Sequence, residues 1–190
     1  IIGADFYNLN NRTKLLLSRF INLYIWQQIK FNKEINKHNF QSQSHLINIW
    51  FNQVKQNIQD RIKCSDKEIE SCNQVFIEFC KSNNTLRVPA LIMTPYETIM
   101  RGLQSEGLVT LEKNNYTYTH QSIFDYFIAR DMLVKLLNGD SIETVVGPID
   151  KQTPWRRYQV QMMFEQLHDI SSEKFLESGK ILLDSNEIRF

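Results

Sequence analysis

Residues 107–137 read GLVTLEKNNYTYTHQSIFDYFIARDMLVKLL, and the other elements of the chain are most easily placed relative to them. Two runs rich in β-branched and aromatic residues, 108–111 and 116–119, flank the polar tetrapeptide 112–115. Such runs on either side of a short polar turn are typical of a β-hairpin. We therefore predict two short antiparallel strands here.

An amphipathic helix is predicted directly after this hairpin. Apolar residues recur at helical spacing after His120, at Ile123, Phe124, Phe127, Ile128, Met132, Leu133, Leu136 and Leu137. This spacing places them on one broad stripe that faces a core. His120 therefore lies where the second strand ends and the helix begins.

Helices are predicted before and after this region from apolar spacing and cap residues. The upstream helices span 12–31 (capped by Asn10 or Asn11), 46–62, 65–82 (opened by the capping box of Ser65 and Glu68) and 95–106 (capped by Thr94, with Pro95 first). A polar loop is expected over 32–44. Downstream, one helix starts at Thr153-Pro154 and a final helix spans about 173–183.

The order of these elements predicts a mainly α fold with one small β-hairpin. Helix, helix, two strands and a further helix within about 70 residues is the order of a winged-helix domain with an added helix. We expect a helical subdomain at 1–64, the winged-helix domain at 65–138, and a C-terminal helix pair at 139–190. This pair would start a helical repeat or sensor region.

Composition excludes several classes of protein. The 190 residues carry a net charge of +1, which gives no long-range attraction to a polyanion or an anionic membrane. The most apolar window, 15–31, is interrupted by Arg19, Asn22, Gln27, Gln28 and Lys30, so no membrane span is predicted. Neither a C-x-x-C motif nor a metal-binding histidine spacing accompanies Cys64, Cys72 and Cys80. We expect core thiols in a cytoplasmic protein and no metal site.

Catalytic motifs are absent from the sequence. The six glycines form neither a G-x-x-x-x-G-K-[ST] nor a G-x-G-x-x-G pattern, and there is no H-E-x-x-H or nucleophile elbow. No signal peptide is visible, and the missing initial methionine suggests a part of a larger protein. We predict no catalytic residues and no autonomous enzyme activity.

DNA is a partner that the charges argue against. The helix that would enter the major groove carries Glu97, Glu106 and a single Arg101, and the hairpin tip carries Glu112 and Lys113. A protein that reads DNA normally needs several cations to neutralise phosphates. A winged-helix DNA-binding transcriptional regulator remains an alternative function.

His120 has two interpretations on the residues alone. The amides of Ser122, Ile123 and Phe124, together with the helix dipole, would attract an anion, and the imidazole could donate to a phosphate oxygen. Alternatively, the histidine caps the helix or fills a polar gap, which is the simpler interpretation.

One stretch resembles a motif of a known family. Residues 117–130, TYTHQSIFDYFIAR, resemble the F-x-H-x-S-F-x-E-Y-F-A-A pattern of NACHT-type STAND NTPases, where it opens the last helix of the winged-helix domain. Ile123 replaces the usual Phe and Asp125 the usual Glu. Residues 11–16, followed by Phe20-Ile21, and residues 99–109 resemble other parts of that family in the same order.

This resemblance implies a regulatory function. In that family, ATP binding and hydrolysis control a switch from a closed monomer to a signalling oligomer, and the motif histidine contacts the β-phosphate of ADP. It thus implies that His120, supported by the helix N-terminus at Ser122, contacts a nucleotide phosphate. Because Walker motifs are absent, the ATP/ADP site would lie in an upstream NTPase core, with no cofactor in this fragment alone.

The same resemblance implies partners and a setting. They are the chain's own upstream NTPase core, other protomers on activation, and a trigger protein bound through a downstream helical region. Many bacterial members act in antiphage defence. A helical protein-interaction scaffold is a further alternative, which three aromatic residues that look exposed would support: Trp50, Phe51 and Trp155.

Overall fold

The computed structural model describes Tyr7 and residues 9–29 and 40–186. In these residues the fold is mainly α with a small antiparallel sheet, as predicted. The chain divides into two compact units, Ile1–Phe124 and Asp125–Phe190, and the division falls inside a helix. The predicted boundaries at 64/65 and 138/139 differ from this division and stay predictions.

The elements up to Phe124 include five complete helices and three strands in the described residues. They are α1 Asn11–Leu17, α2 Phe20–Gln28, α3 Gln43–Ile62, α4 Asp66–Asn83, β1 Val88–Pro89, the 3-10 turn Thr94–Tyr96, α5 Glu97–Ser105, β2 Val109–Glu112 and β3 Asn115–Tyr118. Helix α6, Gln121–Leu137, crosses the division. Then follow α7 Ile142–Val146, the 3-10 turn Ile149–Lys151, α8 Pro154–Ile170 and α9 Ser172–Asp184.

The predicted first helix is wrong in its length. It is two helices, because the backbone is extended at Arg19 (φ −82°, ψ 127°). Side chains satisfy the last carbonyls of α1: Ser18 Oγ donates to Leu15 O at 2.7 Å and Asn22 Nδ2 donates to Leu16 O at 2.8 Å. Such local bonds compete with helix continuation. The predicted end at Phe31 and most of the predicted loop 32–44 lie outside the described residues.

The hairpin is confirmed, and it belongs to a larger sheet than predicted. Its turn residues Lys113 and Asn114 have φ values of 47° and 61°, which is the type I′ geometry that suits the twist of paired strands. The sheet order is β1-β3-β2, so β3 is central. Strand β1 was missed because it has two residues, one of them Pro89, and is defined by its pairing with β3.

Trp50 and Phe51 were expected to be exposed, and both are buried. Their side chains are 2% and 0% exposed, respectively. The Trp50 ring meets the Tyr24 ring of α2 edge-on at a centroid distance of 6.5 Å. The helix pair α2–α3 therefore has its own core. Trp155 is 50% exposed, as expected.

Helix α5 is held against α3 by close packing and by an ion pair. A Cβ at Gly102 would lie 3.1 Å from Ile58 Cγ1, so the two backbones approach closely there. Arg61 Nη2 lies 2.5 Å from Glu106 Oε1, and Asn57 Nδ2 donates to Glu106 Oε2 at 2.7 Å. Glu106 therefore faces α3 and not the exposed side of α5.

Several helix starts were predicted well, but α3 begins three residues earlier than predicted, at Gln43, and the start of α5 also differs. Ser65 and Glu68 form the expected capping box, and Thr153 caps α8 by accepting from Arg156 N at 3.2 Å. Thr94, however, begins a 3-10 turn, and its hydroxyl donates to Leu91 O at 2.8 Å. Helix α5 accordingly starts two residues later than predicted, at Glu97.

The prediction of core thiols is confirmed for two cysteines. Cys72 and Cys80 are buried, and burial raises the pKa of each thiol to about 12. Cys72 Sγ lies 3.5 Å from Met100 Sδ, which joins α4 to α5. Cys64 is half-buried. At neutral pH the two buried thiols are protonated and unreactive, because the thiolate is the nucleophile.

In the unit Asp125–Phe190, a polar network connects α6, α7 and α8. Arg156 donates to the carbonyls of Val145 (2.6 Å) and Val146 (3.0 Å) at the end of α7. Its third hydrogen bond goes to Gln159 Oε1 at 3.4 Å, and Gln159 Nε2 donates to the buried Asp125 carboxylate at 2.8 Å. These bonds satisfy carbonyls that a helix C-terminus leaves unpaired.

Candidate functional site

The hairpin is anchored at both of its ends, which places His120. Thr119 Oγ1 donates to Gly107 O at 2.9 Å, and Thr119 N donates to Leu108 O at 3.1 Å. The chain entering β2 and the chain leaving β3 are thereby held together. His120 is the next residue, so its backbone position is determined by this closure.

Tyr118 fixes the same corner from the core side. Its ring lies 4.6 Å from the Phe76 ring of α4 and 6.2 Å from the Phe124 ring in the first turn of α6, measured between centroids. Its hydroxyl donates to Asn73 Oδ1 at 3.3 Å, and burial raises its pKa well above the ordinary value. The end of β3 and the start of α6 are thus packed against α4.

A Schellman motif ends α5 and starts the hairpin. Leu108 N donates to Leu103 O at 2.9 Å, and Gly107 N donates to Gln104 O at 3.1 Å. Gly107 has a φ of +75°, which glycine adopts without the strain of a side chain. Gly107 is therefore the left-handed C-terminal cap of α5.

His120 itself caps α6. Its Nδ1 accepts a hydrogen bond from Ser122 N at 3.1 Å, and its carbonyl accepts from Ile123 N at 3.0 Å. Two of the three amides that were expected to be open are therefore occupied, and the buried Ser122 contributes its amide to His120. An accepting Nδ1 puts the proton of the neutral ring on Nε2.

The ring position that the cap does not use is Nε2–H. Within the described residues Nε2 makes no hydrogen bond, and the side chain is exposed. A neutral Nε2–H can donate one hydrogen bond to an anionic oxygen near the positive end of the helix dipole. Among the described residues, no nucleophile or second titratable side chain bonds to the His120 ring.

Partial burial lowers the pKa of His120 below its ordinary value of 6.5. Because the folded chain binds this proton less readily than the unfolded chain, the contribution of His120 to stability is present above pH 6.5. It is lost as the pH falls through the lowered value. We expect NMR titration of the His120 ring to give a pKa below 6.5.

The His120→Asn variant tests the lowered pKa of His120 through the pH dependence of the free energy of unfolding. Asn caps helices well and does not titrate in this range, so this variant should lose less stability than the parent chain between pH 7 and pH 5. His168→Asn, on the exposed last turn of α8, serves as the control for a histidine replacement away from the hairpin corner. A His120 pKa at or above 6.5 would contradict the cap geometry.

Asp125, at the position of the usual glutamate, lies inside the protein. It is 1% exposed, and its Oδ1 accepts from Gln159 Nε2. This carboxylate therefore helps to hold α8 on α6. The partner Gln159 was not singled out from the sequence, because nothing local distinguishes it from other glutamines.

The exposed side of α5 does not have the charges of a DNA reader. Arg101 Nη2 lies 2.6 Å from Glu97 Oε1, one helical turn before it, so the only arginine of α5 is paired with a carboxylate. Glu106, the other acidic residue predicted there, is bound to Arg61. This surface offers phosphates almost no net attraction.

We therefore expect the chain to bind duplex DNA weakly or not at all at 150 mM salt. In fluorescence anisotropy, the plot of log K against log salt should have a slope near zero, since few counterions are released. Glu97→Gln frees Arg101 and is expected to increase the binding only slightly. Tight binding with a steep salt dependence would restore the DNA-binding alternative.

No group of three or more His, Cys, Asp or Glu side chains in the described residues is arranged to hold a metal ion. None of the helices in that part of the chain combines the length and the apolar character needed to cross a membrane.

Comparisons with known proteins leave the family open. No protein-family model matches the chain, and searches of curated proteins and of solved structures found no match either. The functional conclusion therefore depends on the geometry of the His120 corner and on the resemblance of its sequence motif.

Proposed function

We propose that this chain is the regulatory segment of a NACHT-type STAND NTPase, in which His120 Nε2 donates a hydrogen bond to a phosphate of ADP. The nucleotide is held by an NTPase core encoded upstream of Ile1. The segment senses the nucleotide and controls ATP-dependent oligomerisation in signalling or antiviral defence in the cytoplasm. It has no catalytic activity of its own.

The observation that carries this proposal is the orientation of the imidazole. The Ser122 amide occupies Nδ1 at 3.1 Å, which leaves Nε2–H as the remaining donor of an exposed side chain at the N-terminus of a 17-residue helix. The lowered pKa keeps the ring neutral at pH 7, so this tautomer persists. A phosphate bound there gains a directed hydrogen bond and the field of the helix.

Three exposed apolar side chains within residues 7–20 support the proposal that another domain packs against this segment. Leu15 on α1 is 74% exposed, Phe20 at the start of α2 is 83% exposed, and Tyr7 is 76% exposed. Large apolar side chains grouped on one segment often mark a surface that another domain covers. An NTPase core preceding this segment would cover them.

The test uses the complete protein, with its NTPase core, after purification with endogenous nucleotide. His120→Ala should release ADP roughly 10–100 times faster, because one hydrogen bond to a charged oxygen contributes about 1.5–3 kcal/mol. His120→Asn keeps the helix cap but is too short to reach the phosphate, so it should behave similarly while remaining as stable as the parent.

Two readouts distinguish this role from a structural one. ADP occupancy is measured by chromatography of the released nucleotide, and the oligomeric state by light scattering with and without ATP. Both variants should also oligomerise more readily in the absence of a trigger. His168→Ala is the control. Unchanged ADP release and an unchanged oligomeric state in both His120 variants would refute the proposal.

A further inference from the structure

A cleft of about 640 Å³ lies in the second unit, between α8 and α9 and beside the end of α7. Its walls are mostly apolar, with Val146, Val160, Phe164, Phe175 and Leu182 among the lining residues. We call it the α8–α9 cleft. Its volume and apolar lining are those of a binding site rather than of a packing defect.

The charged residues that line the α8–α9 cleft have one sign. Among the described residues, the lining includes Arg156 and Arg157 and no Asp or Glu. The three hydrogen bonds of Arg156 all go to neutral oxygens, of Val145, Val146 and Gln159. Arg157 is exposed, and within the described residues its side chain forms no hydrogen bond or ion pair. A ligand that brings a carboxylate to this rim would meet two cations without a directly bonded counterion.

The apolar surface continues beyond the cleft along α9. Leu183, which lines the cleft, is 80% exposed, and Leu176, two turns earlier, is 70% exposed. A small molecule in the cleft would leave these side chains in water. A longer apolar ligand that runs beside α9 would cover them, and the 13 residues of α9 provide length for several helical turns of contact.

We propose that the α8–α9 cleft binds an amphipathic helix of a partner protein, whose apolar stripe lies in the cleft and whose flanking carboxylates pair with Arg157. This surface is independent of the nucleotide contact at His120. Recognition combines burial of leucine-like side chains with charge complementarity at the rim, as in other helix-in-groove complexes.

Gly179 provides a way to close the cleft without disturbing α9. It lines the cleft, and a Cβ placed on it would lie 3.9 Å from Phe164 Cε1, which is an ordinary contact distance. Gly179→Leu therefore fits at its Cβ and fills the cleft with the rest of its side chain. Leucine also favours a helix more than glycine does, so the variant should remain folded.

The experiment measures binding of two synthetic peptides to the full 190-residue chain by fluorescence anisotropy. The first peptide has leucines at i, i+3, i+4 and i+7 with two glutamates beside that stripe, and the second has lysines in place of the glutamates. We expect the acidic peptide to bind roughly fivefold more tightly, since one exposed ion pair contributes up to about 1 kcal/mol.

The variants make the result specific to the cleft. Arg157→Glu should reverse the preference between the two peptides, and Gly179→Leu should remove the binding of both. Lys180→Glu makes the same change from a positive to a negative side chain, but Lys180 is on α9 and does not line the cleft. It should therefore have little effect on peptide binding. Circular dichroism of each variant verifies that the helices are retained.

Several outcomes would overturn the proposal. They are no measurable binding of either peptide, equal binding that Arg157→Glu and Gly179→Leu do not change, and dimerisation of the chain that Gly179→Leu abolishes. Binding of the chain to anionic lipid vesicles through the same residues, without binding of the acidic peptide, would overturn it as well.

Discussion

Gly107→Ala should lower the free energy of unfolding by about 1–2 kcal/mol, because an L-residue in the left-handed region is strained by that amount. Gly107 has a φ of +75° in the Schellman motif that ends α5. An added Cβ would also lie 2.8 Å from Tyr24 Oη, which increases the loss unless the tyrosine moves. Urea denaturation followed by circular dichroism measures the change.

Two further variants separate the backbone strain at residue 107 from the close contact with Tyr24 Oη. Gly107→Asn keeps the contact but tolerates a positive φ better, so it should cost less than Gly107→Ala. Tyr24→Phe removes the hydroxyl, and in that background the cost of Gly107→Ala should fall to the strain alone. An alanine variant as stable as the parent chain would show that the positive φ at residue 107 is not required.

Arg156→Met is expected to destabilise the second unit by about 2–3 kcal/mol. It removes the donors for two carbonyls at the end of α7 and for Gln159, and buried acceptors left without a partner are costly. Burial lowers the pKa of Arg156, an effect that the nearby Asp131 opposes, but the guanidinium remains charged. Thermal unfolding and hydrogen exchange of the α7 amides report the loss.

Arg157→Met is the matched control, since it removes the neighbouring arginine from an exposed position. We expect it to change stability by less than about 0.5 kcal/mol. Arg156→Lys keeps the charge but loses the planar arrangement of N–H donors. Its effect on stability should therefore lie between those of Arg156→Met and Arg157→Met. Equal effects of the two methionine variants would contradict the role assigned to Arg156.

The two proposals concern different parts of the molecule and can fail separately. The nucleotide proposal depends on His120 and on a core that precedes this segment, and ADP release tests it. The helix-binding proposal depends on Arg157 and the α8–α9 cleft, and peptide binding tests it on this chain alone. A silent His120 variant would not affect the second proposal.

The site was predicted in part. The histidine at the strand–helix corner follows from local patterns: a β-hairpin signal before residue 120 and helical apolar spacing after it. The hydrogen bond from the Ser122 amide to the His120 ring could not be predicted from the sequence. A histidine that caps the helix and a histidine that contacts a ligand would occupy the same position, so the sequence does not distinguish them. The remaining donor, Nε2–H, was identified only once the hydrogen bond to Nδ1 was known.

The sequence by itself determined where most helices and the hairpin lie. Cap residues such as Ser65 and Thr153, the polar turn at 113–114 and the apolar stripe of α6 act over one or two turns of chain, so their effect is visible locally. The break between α1 and α2 at Arg19 was not predicted from the sequence. No helix-breaking residue marks it, because the Asn22 side chain satisfies the end of α1.

Tertiary structure alone decided which apolar residues remain exposed and which strands pair. Trp50 is buried and Trp155 is half exposed, although the two look alike in sequence. Strand β1 exists because β3 lies beside it, and the α8–α9 cleft is lined by residues of α7, α8 and α9 that are distant along the chain. Burial and pairing depend on residues that are distant along the chain, so no local pattern encodes them.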